Sequence, residues 1–181
     1  ALGTSSNSDV RWAVLDTASN AQSWKITEVS GGSVNPGTGS VTTLIAAANA
    51  CIGKNLAQCA KYFGVSNPNC EWCAWFVRQC GIKANMNFGT SNIASQVRGV
   101  NGNVSFSATT PKVGDLALID THGGSSVGHV GIITAITGNN ITTVEGNMSG
   151  SVTTSIVKNA SYDASGYSST FGRIVYIGKN S

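Results

Sequence analysis

The hydrophobic periodicity of the chain changes once, and this change most constrains the fold. Between Val41 and Gly81, apolar residues recur at the three- and four-residue spacing of helices. After Pro111, short apolar or alternating runs bounded by Gly, Asn and Ser are typical of β-strands. Helices followed by strands predict an α+β domain, in which the N-terminal helices pack on an antiparallel sheet of about five or six strands.

Three helices and five strands follow from these patterns. The predicted helices cover 41–52, 56–63 and a segment from 70–73 to about 80, and each is followed by a glycine. The predicted strands are Asp115–Asp120, Val127–Ile136, Ile141–Glu145, Val152–Val157 and Arg173–Ile177.

The length of 181 residues favours a single domain. Residues 31–40 are rich in Gly and Ser and read as a linker, so we predict an N-terminal extension and linker over 1–40 and the main domain over 41–181.

The charge balance excludes some partners. Charged residues are only 10% of the chain, the net charge is +3, and there is no run of Lys or Arg, so a nucleic-acid partner is not indicated. No apolar stretch approaches 18 residues, so we expect no membrane span.

Five cysteines fall within 30 residues, from Cys51 to Cys80. This clustering predicts two disulfides and one free thiol, in an oxidising compartment; the alternative is five reduced thiols in a cytosolic protein. If Cys73 is free, the other four allow three pairings. Bridges from the earlier helices to the third are favoured, but Cys51–Cys59 with Cys70–Cys80 returns if Cys70 lies well outside the third helix.

Cys73 is the candidate nucleophile. It lies at or near the first turn of the third helix, where unpaired N–H groups and the helix dipole favour a thiolate. The chain has two histidines: His122 falls in a loop, whereas His129 begins an apolar strand. A histidine there is either a core residue bonded to a carbonyl or a general base for Cys73.

The hairpin that follows His129 offers a residue to orient its ring. If the loop is the three residues 138–140, His129, Glu145 and Asn147 share one face of the sheet, whereas a two-residue loop would separate them. Glu145 stands in an apolar context, which favours a role over a solvated carboxylate. Ladder spacing places Asn147 nearer to His129, so the choice between the two stays open.

Two other functions compete with a thiol enzyme. Cys70 and Cys73 form a Cys-x-x-Cys that could bind zinc with Cys59 and Cys80, but there is no second such motif, so we predict no metal and no cofactor. A non-catalytic wall-binding or adhesion module is the other alternative. Trp72 and Trp75 could line a substrate groove in either a binder or an enzyme, although such aromatics are more often core residues.

Four segments resemble CHAP domains, the cysteine, histidine-dependent amidohydrolases/peptidases. The segment 71–77 resembles the nucleophile motif of that family, 113–116 its Gly-Asp turn, 128–133 its histidine strand and 143–147 its Glu-Gly-Asn element. They occur in the family's order and span roughly residues 41–178.

The resemblance implies a papain-like α+β fold, with Cys73 as nucleophile, His129 as base, Glu145 as orienter and Asn147 as an added polar support. It also implies hydrolysis of amide bonds in bacterial peptidoglycan, by a protein secreted or delivered to the wall or to the periplasm of a target cell. We expect a monomer, and an antibacterial toxin of this kind would have an immunity or inhibitor protein as a partner. Part of the family has Gln before the nucleophile where this chain has Trp72, which leaves a side-chain oxyanion donor unassigned.

Overall fold

The structure is a computed structural model, and it describes residues 39–68 and 70–180. The predicted extension over 1–40 therefore lies outside the described residues, apart from Gly39 and Ser40, and stays a prediction. Within the described residues, no helix is long and apolar enough to cross a membrane.

Three helices form the N-terminal half of the domain: α1 (Val41–Asn49), α2 (Leu56–Phe63) and α3 (Cys73–Lys83). The Ser40 hydroxyl caps α1 by accepting from the Thr43 amide. α2 has a capping box at its start and ends at Gly64 in the left-handed conformation, as its sequence predicts.

α3 is longer than predicted because Gly81 does not end it. A Cβ added at Gly81 would lie 2.6 Å from the Phe88 ring, so this glycine permits a close approach rather than a turn. The helix therefore continues through Lys83. After α3, the chain forms a single 3₁₀ turn, Ala94–Gln96.

The strands of the described residues are β1 Asn103–Ser105, β2 Leu116–Asp120, β3 His129–Thr137, β4 Asn140–Met148, β5 Ile156–Tyr162, β6 Tyr167–Ser168 and β7 Gly172–Gly178. They form one antiparallel sheet in the order β1-β7-β2-β3-β4-β5, with β6 paired to β7. The prediction of an α+β fold with an antiparallel sheet is confirmed, and two short strands that the sequence did not reveal, β1 and β6, bring the described sheet to seven.

β5 begins later than predicted. Residues 151–154 form a turn, in which the Ser155 amide donates to the carbonyl of Ser151, and only from Ile156 does the chain pair with β4. The small polar residues of this segment favour local hydrogen bonds over a ladder, which the apolar Val152 had obscured.

Two apolar clusters lie on opposite faces of the sheet. Along β2, Leu116 and Leu118 join the cluster that includes the helices, whereas Ala117 and Ile119 join the second cluster. The helices thus cover one face, and the second cluster fills the other with residues from the strands.

Candidate active site

Cys73 is the first residue of α3, and its side chain lies at the positive end of the helix. Trp72 is the N-cap residue, and its side chain makes no capping hydrogen bond. The first amides of a helix have no partner within it, so the backbone around Cys73 offers N–H donors. Cys73 is only 4% exposed, so a substrate would reach the sulfur through a narrow opening.

His129, the first residue of β3, and Glu145, on β4, form a close pair. Their Nε2 and Oε2 atoms are 3.0 Å apart, and the Glu145 side chain is fully buried. Neither atom has a hydrogen-bond partner in the described part of the chain, so the ion-pair contact between the two is what offsets their burial.

The path by which these strands bring His129 to Glu145 differs from the predicted one. The hairpin loop has two residues, because Thr137 pairs with Asn140, and this alone would put the two side chains on opposite faces. A bulge at Thr134 inserts one residue into β3 and restores the alternation. The expectation of a three-residue loop is wrong, while the predicted shared face for His129 and Glu145 holds.

Gly131 leaves space for the Glu145 side chain to extend towards His129. It lies across from Glu145, and a Cβ added to it would be 2.5 Å from Cγ of that residue. Glycine at this strand position therefore leaves room for the buried side chain to extend towards His129.

The surroundings of His129 keep its ring positively charged. Burial alone would lower the pKa of His129, but the nearby Cys73 and Glu145 side chains raise this pKa from its ordinary value to about 10. Because Glu145 faces Nε2, the other ring nitrogen, Nδ1, is the one free to bond with Cys73. The arrangement is that of a thiol, an imidazole and a carboxylate in series.

Two residues that the sequence did not single out hold the carboxylate. The Thr143 hydroxyl donates to Oε1 of Glu145 at 2.5 Å, and the Tyr162 hydroxyl donates to the same oxygen at 2.9 Å. These bonds leave Oε2 for His129. Thr143 could have been found from strand alternation, since it lies two residues before Glu145, whereas Tyr162 requires the register between β4 and β5.

Asn147 lies near the start of α3 but bonds to other groups. Its side-chain amide donates to Glu71, and its carbonyl oxygen accepts from the Ser155 hydroxyl at 2.7 Å. The backbone of Asn147 is left-handed, with φ of 61°, where β4 loses its regular pairing with β5. No hydrogen bond to His129 is formed, so the orienting position that the sequence left open is occupied by Glu145.

Trp72 and Trp75 do not line a groove. They are 0% and 5% exposed, and they pack edge to face with one another in the core under the helices. The indole N–H of Trp72 donates to the Ser155 hydroxyl at 2.9 Å, so it is not free to act as an oxyanion donor. The predicted role of these two residues in substrate binding is therefore corrected: both are core residues, which was the other possibility that the sequence offered.

The predicted disulfides are also corrected, because all five cysteines are free thiols in this structure. Cys70 lies outside α3 and accepts a hydrogen bond from the Asn92 amide, while the other four are buried. A hydrogen bond between the thiols of Cys51 and Cys59 lowers the pKa of Cys51 and raises that of Cys59. Within the described ranges, no group of three His, Cys, Asp or Glu side chains is placed to hold a metal ion.

Comparison with known proteins gives one family. The model of the CHAP domain matches residues 56–147, which include Cys73, His129 and Glu145. No curated protein sequence matches the chain.

Two solved structures are similar in part. One is the crystal structure of Ly7917, with 21% identity and a TM-score of 0.44, and the other is Ly7917 with the hydrolyzing product of MDP, with 20% identity and a TM-score of 0.45. Each match covers 78% of this chain and 63% of the other, so the chain spans less than two thirds of these proteins. At these TM-scores the two similarities carry no weight for function.

The family match covers half of the chain, and it falls on the same helix and strands that bring the thiol, imidazole and carboxylate together. The four segments that resemble CHAP motifs all lie within the matched residues. This chain belongs to the CHAP domain family.

Proposed function

We propose that the protein is a cysteine amidase or peptidase that hydrolyses amide bonds in bacterial peptidoglycan. Membership of the CHAP family supports a cell-wall hydrolase in general. The observation that carries the finer proposal is the contact of 3.0 Å between His129 and Glu145, together with the position of Cys73 as the first residue of α3, close enough to the same imidazole to raise its pKa.

In the first half of the reaction, the Cys73 sulfur, whose proton passes to His129, attacks the carbonyl carbon of the amide. The electron pair of the carbonyl moves to oxygen, and the imidazolium of His129 then donates its proton to the leaving nitrogen as the C–N bond breaks. An amine leaves, and the acyl group stays on Cys73 as a thioester. Glu145 stabilises the positive ring while it holds the proton.

In the second half, water replaces the amine. Neutral His129 takes a proton from the water as its oxygen attacks the thioester carbon, and the sulfur leaves to regenerate the thiolate–imidazolium pair. A carboxylic acid is released. In both halves, the oxyanion is stabilised by backbone N–H groups at the start of α3, because the indole of Trp72 is already bonded to Ser155.

The same three groups serve a muramoyl–alanine amidase and a stem-peptide endopeptidase, so both remain within the proposal. We propose that the protein acts outside the cytoplasm, at the wall of its own cell or in the periplasm of a target cell. In the second case, we expect an immunity or inhibitor protein that covers the opening above Cys73.

Digestion of purified peptidoglycan tests the activity. We expect the wild-type protein to release fragments, and mass analysis to show free lactyl carboxyl groups for an amidase or shortened peptides for an endopeptidase. Cys73→Ala should lower the rate by several orders of magnitude, and Cys70→Ala serves as the matched cysteine control. Equal wall lysis by the wild-type protein and Cys73→Ala would reject the mechanism.

Alkylation separates an enzyme from a non-catalytic binding module. In a hydrolase, iodoacetamide should modify one thiol fast near neutral pH, because the start of α3 and the positive ring of His129 stabilise the negative charge that develops on an attacking sulfur. Peptide mapping should place the label at Cys73 in wild type and in Cys70→Ala. A Cys73 that stays inert while the fold is intact would support the binding module instead.

A further inference from the structure

A cavity lies away from the thiol, beside β5, the edge strand of the sheet. It has a volume of about 620 Å³, and residues of the β3–β4 turn, of β5 and of the segment 167–171 line it. Tyr162 and Phe171 belong to the second apolar cluster, whereas Cys73 and α3 belong to the first. The volume falls within the range of about 300–1,000 Å³ that is usual for ligand sites.

The lining of this cavity is mostly uncharged and rich in hydrogen-bonding groups. Asn139, Asn159 and Ser161 are among the lining residues, and their side chains make no hydrogen bonds with other described residues, so their amide and hydroxyl groups are free for a ligand. Each free amide can donate and accept, and a hydroxyl can do both.

The one charged side chain in the lining is a carboxylate. Oδ1 of Asp163 accepts from the hydroxyl and amide of Ser165 and from the amide of Tyr167, and these bonds lower the pKa of Asp163, so it stays negatively charged. An acidic ligand would be repelled by this charge, so a neutral polar ligand is favoured over an acidic peptide.

An exposed aromatic ring completes the cavity. Tyr167 is 54% exposed, and Phe171 beside it is half-buried. An aromatic ring offers a flat apolar face, and the tyrosine hydroxyl offers a polar tip. A flat apolar face among neutral amides and hydroxyls matches the chemistry of a sugar ring, which has an apolar face of C–H groups and a rim of hydroxyl and N-acetyl groups.

We propose that this cavity is a binding site for the glycan strand of peptidoglycan, separate from the site that cleaves amides. The choice of N-acetylated sugars rests on the proposed function, whereas the preference for a neutral carbohydrate over a charged stem peptide rests on the lining itself. Tyr162 connects the two sites, because it is one of the residues around the cavity and its hydroxyl bonds to Glu145. A strand held here would keep the enzyme on the wall between cleavage events.

The test uses the full chain with Cys73→Ala, so that no amide is cut. The probes are N-acetylchitotetraose, peptide-free glycan strands and a synthetic stem tetrapeptide, each followed by NMR of the side-chain amides. We expect both glycans to shift the signals of Asn139 and Asn159. Adding Tyr167→Ala should weaken the binding at least tenfold, whereas adding Tyr176→Ala, an exposed tyrosine outside the cavity, should leave it unchanged.

Other results would overturn the site. One is an absence of shifts with either glycan. Another is that Tyr167→Ala and a second variant, Asn159→Ala, both bind the glycans as tightly as the parent Cys73→Ala protein does. The third is binding of the tetrapeptide at the same amides. Release of fragments by the wild-type protein tests the proposed function by itself, so a protein that cleaves walls but binds no glycan at these residues overturns only this inference.

Discussion

Tyr162 donates a hydrogen bond of 2.9 Å to Oε1 of Glu145, from the neighbouring strand and on the side away from His129. Burial, and then the charge and hydrogen bond of Glu145, raise the pKa of Tyr162 far above its ordinary value, so it remains a donor. With Thr143 on the same oxygen, the carboxylate is held by two hydroxyls and presents Oε2 to the imidazole. The two oxygens of Glu145 thus have different roles: Oε1 fixes the side chain, and Oε2 orients the imidazole of His129.

We expect Tyr162→Phe to lower both stability and turnover. The change removes one of two donors to a buried carboxylate, and a hydrogen bond to a charged group contributes about 1.5–3 kcal/mol. Chemical denaturation should show a loss of that order, and kcat should fall by roughly tenfold if about half of it is felt in the transition state. Tyr176→Phe, on an exposed tyrosine, is the control and should change neither quantity. If Tyr162→Phe loses stability but keeps the kcat of the wild-type protein and the pH profile of kcat, Tyr162 has only a structural role.

The choice of orienter gives a second prediction. Glu145→Gln keeps an acceptor for the imidazole but removes the charge, so we expect kcat to fall by about ten- to hundredfold, less than for His129→Ala. Asn147→Ala should leave the pH profile of kcat in place, because its side chain bonds to Glu71 and Ser155. If instead Glu145→Gln has no effect and Asn147→Ala moves the profile, Asn147 is the orienter.

Gly131 gives a third prediction. In Gly131→Ala the new methyl group would lie 2.5 Å from Cγ of Glu145 and 3.2 Å from its Oε1, so the carboxylate must move from its place. We expect kcat to fall at least tenfold, and the NMR signals of the His129 ring to shift. Gly124→Ala is the matched control, because a Cβ there meets nothing within 4 Å and the backbone φ is not positive. Full activity in Gly131→Ala would mean that the pair of Glu145 and His129 is not needed for turnover.

The elements of this fold could be predicted where a local signal sets them. The bounds of α2 follow from the polar cap at Asn55 and the glycine at 64, and each acts within one turn of the helix. The sequence predicts too short an α3, because a glycine that packs against Phe88 cannot be told from a glycine that ends a helix without the tertiary contact. The sequence also predicts too early a start for β5, because the turn over 151–154 contains an apolar residue, Val152, that resembles the first residue of a strand.

The site was predictable in its residues but not in its connections. Cys73, His129 and Glu145 stand out because each is a reactive side chain in an otherwise apolar segment. Their relative positions depend on the bulge at Thr134, which has no mark in the sequence, and Tyr162 reaches Glu145 only through the pairing of two strands 17 residues apart. Long-range register of this kind depends on the whole sheet, so local patterns cannot give it.

The raised pKa of His129 gives a last prediction, on stability against pH. A pKa of about 10 in the folded state, against about 6.5 when unfolded, means that the folded protein holds a proton that the unfolded chain releases first. The stabilisation is therefore fully present below pH 6.5 and is lost as the pH rises towards 10. A thiolate at Cys73 would offset this proton, because the unfolded chain regains it on the thiol, so the test uses the Cys73→Ala background, where Glu145 still raises the pKa of His129. There we expect the free energy of unfolding to fall between pH 6.5 and 8.5, and to fall less when His129→Gln is added, with His122→Gln as the matched control. Parallel curves for Cys73→Ala with and without His129→Gln would show that the ring is neutral in the folded protein.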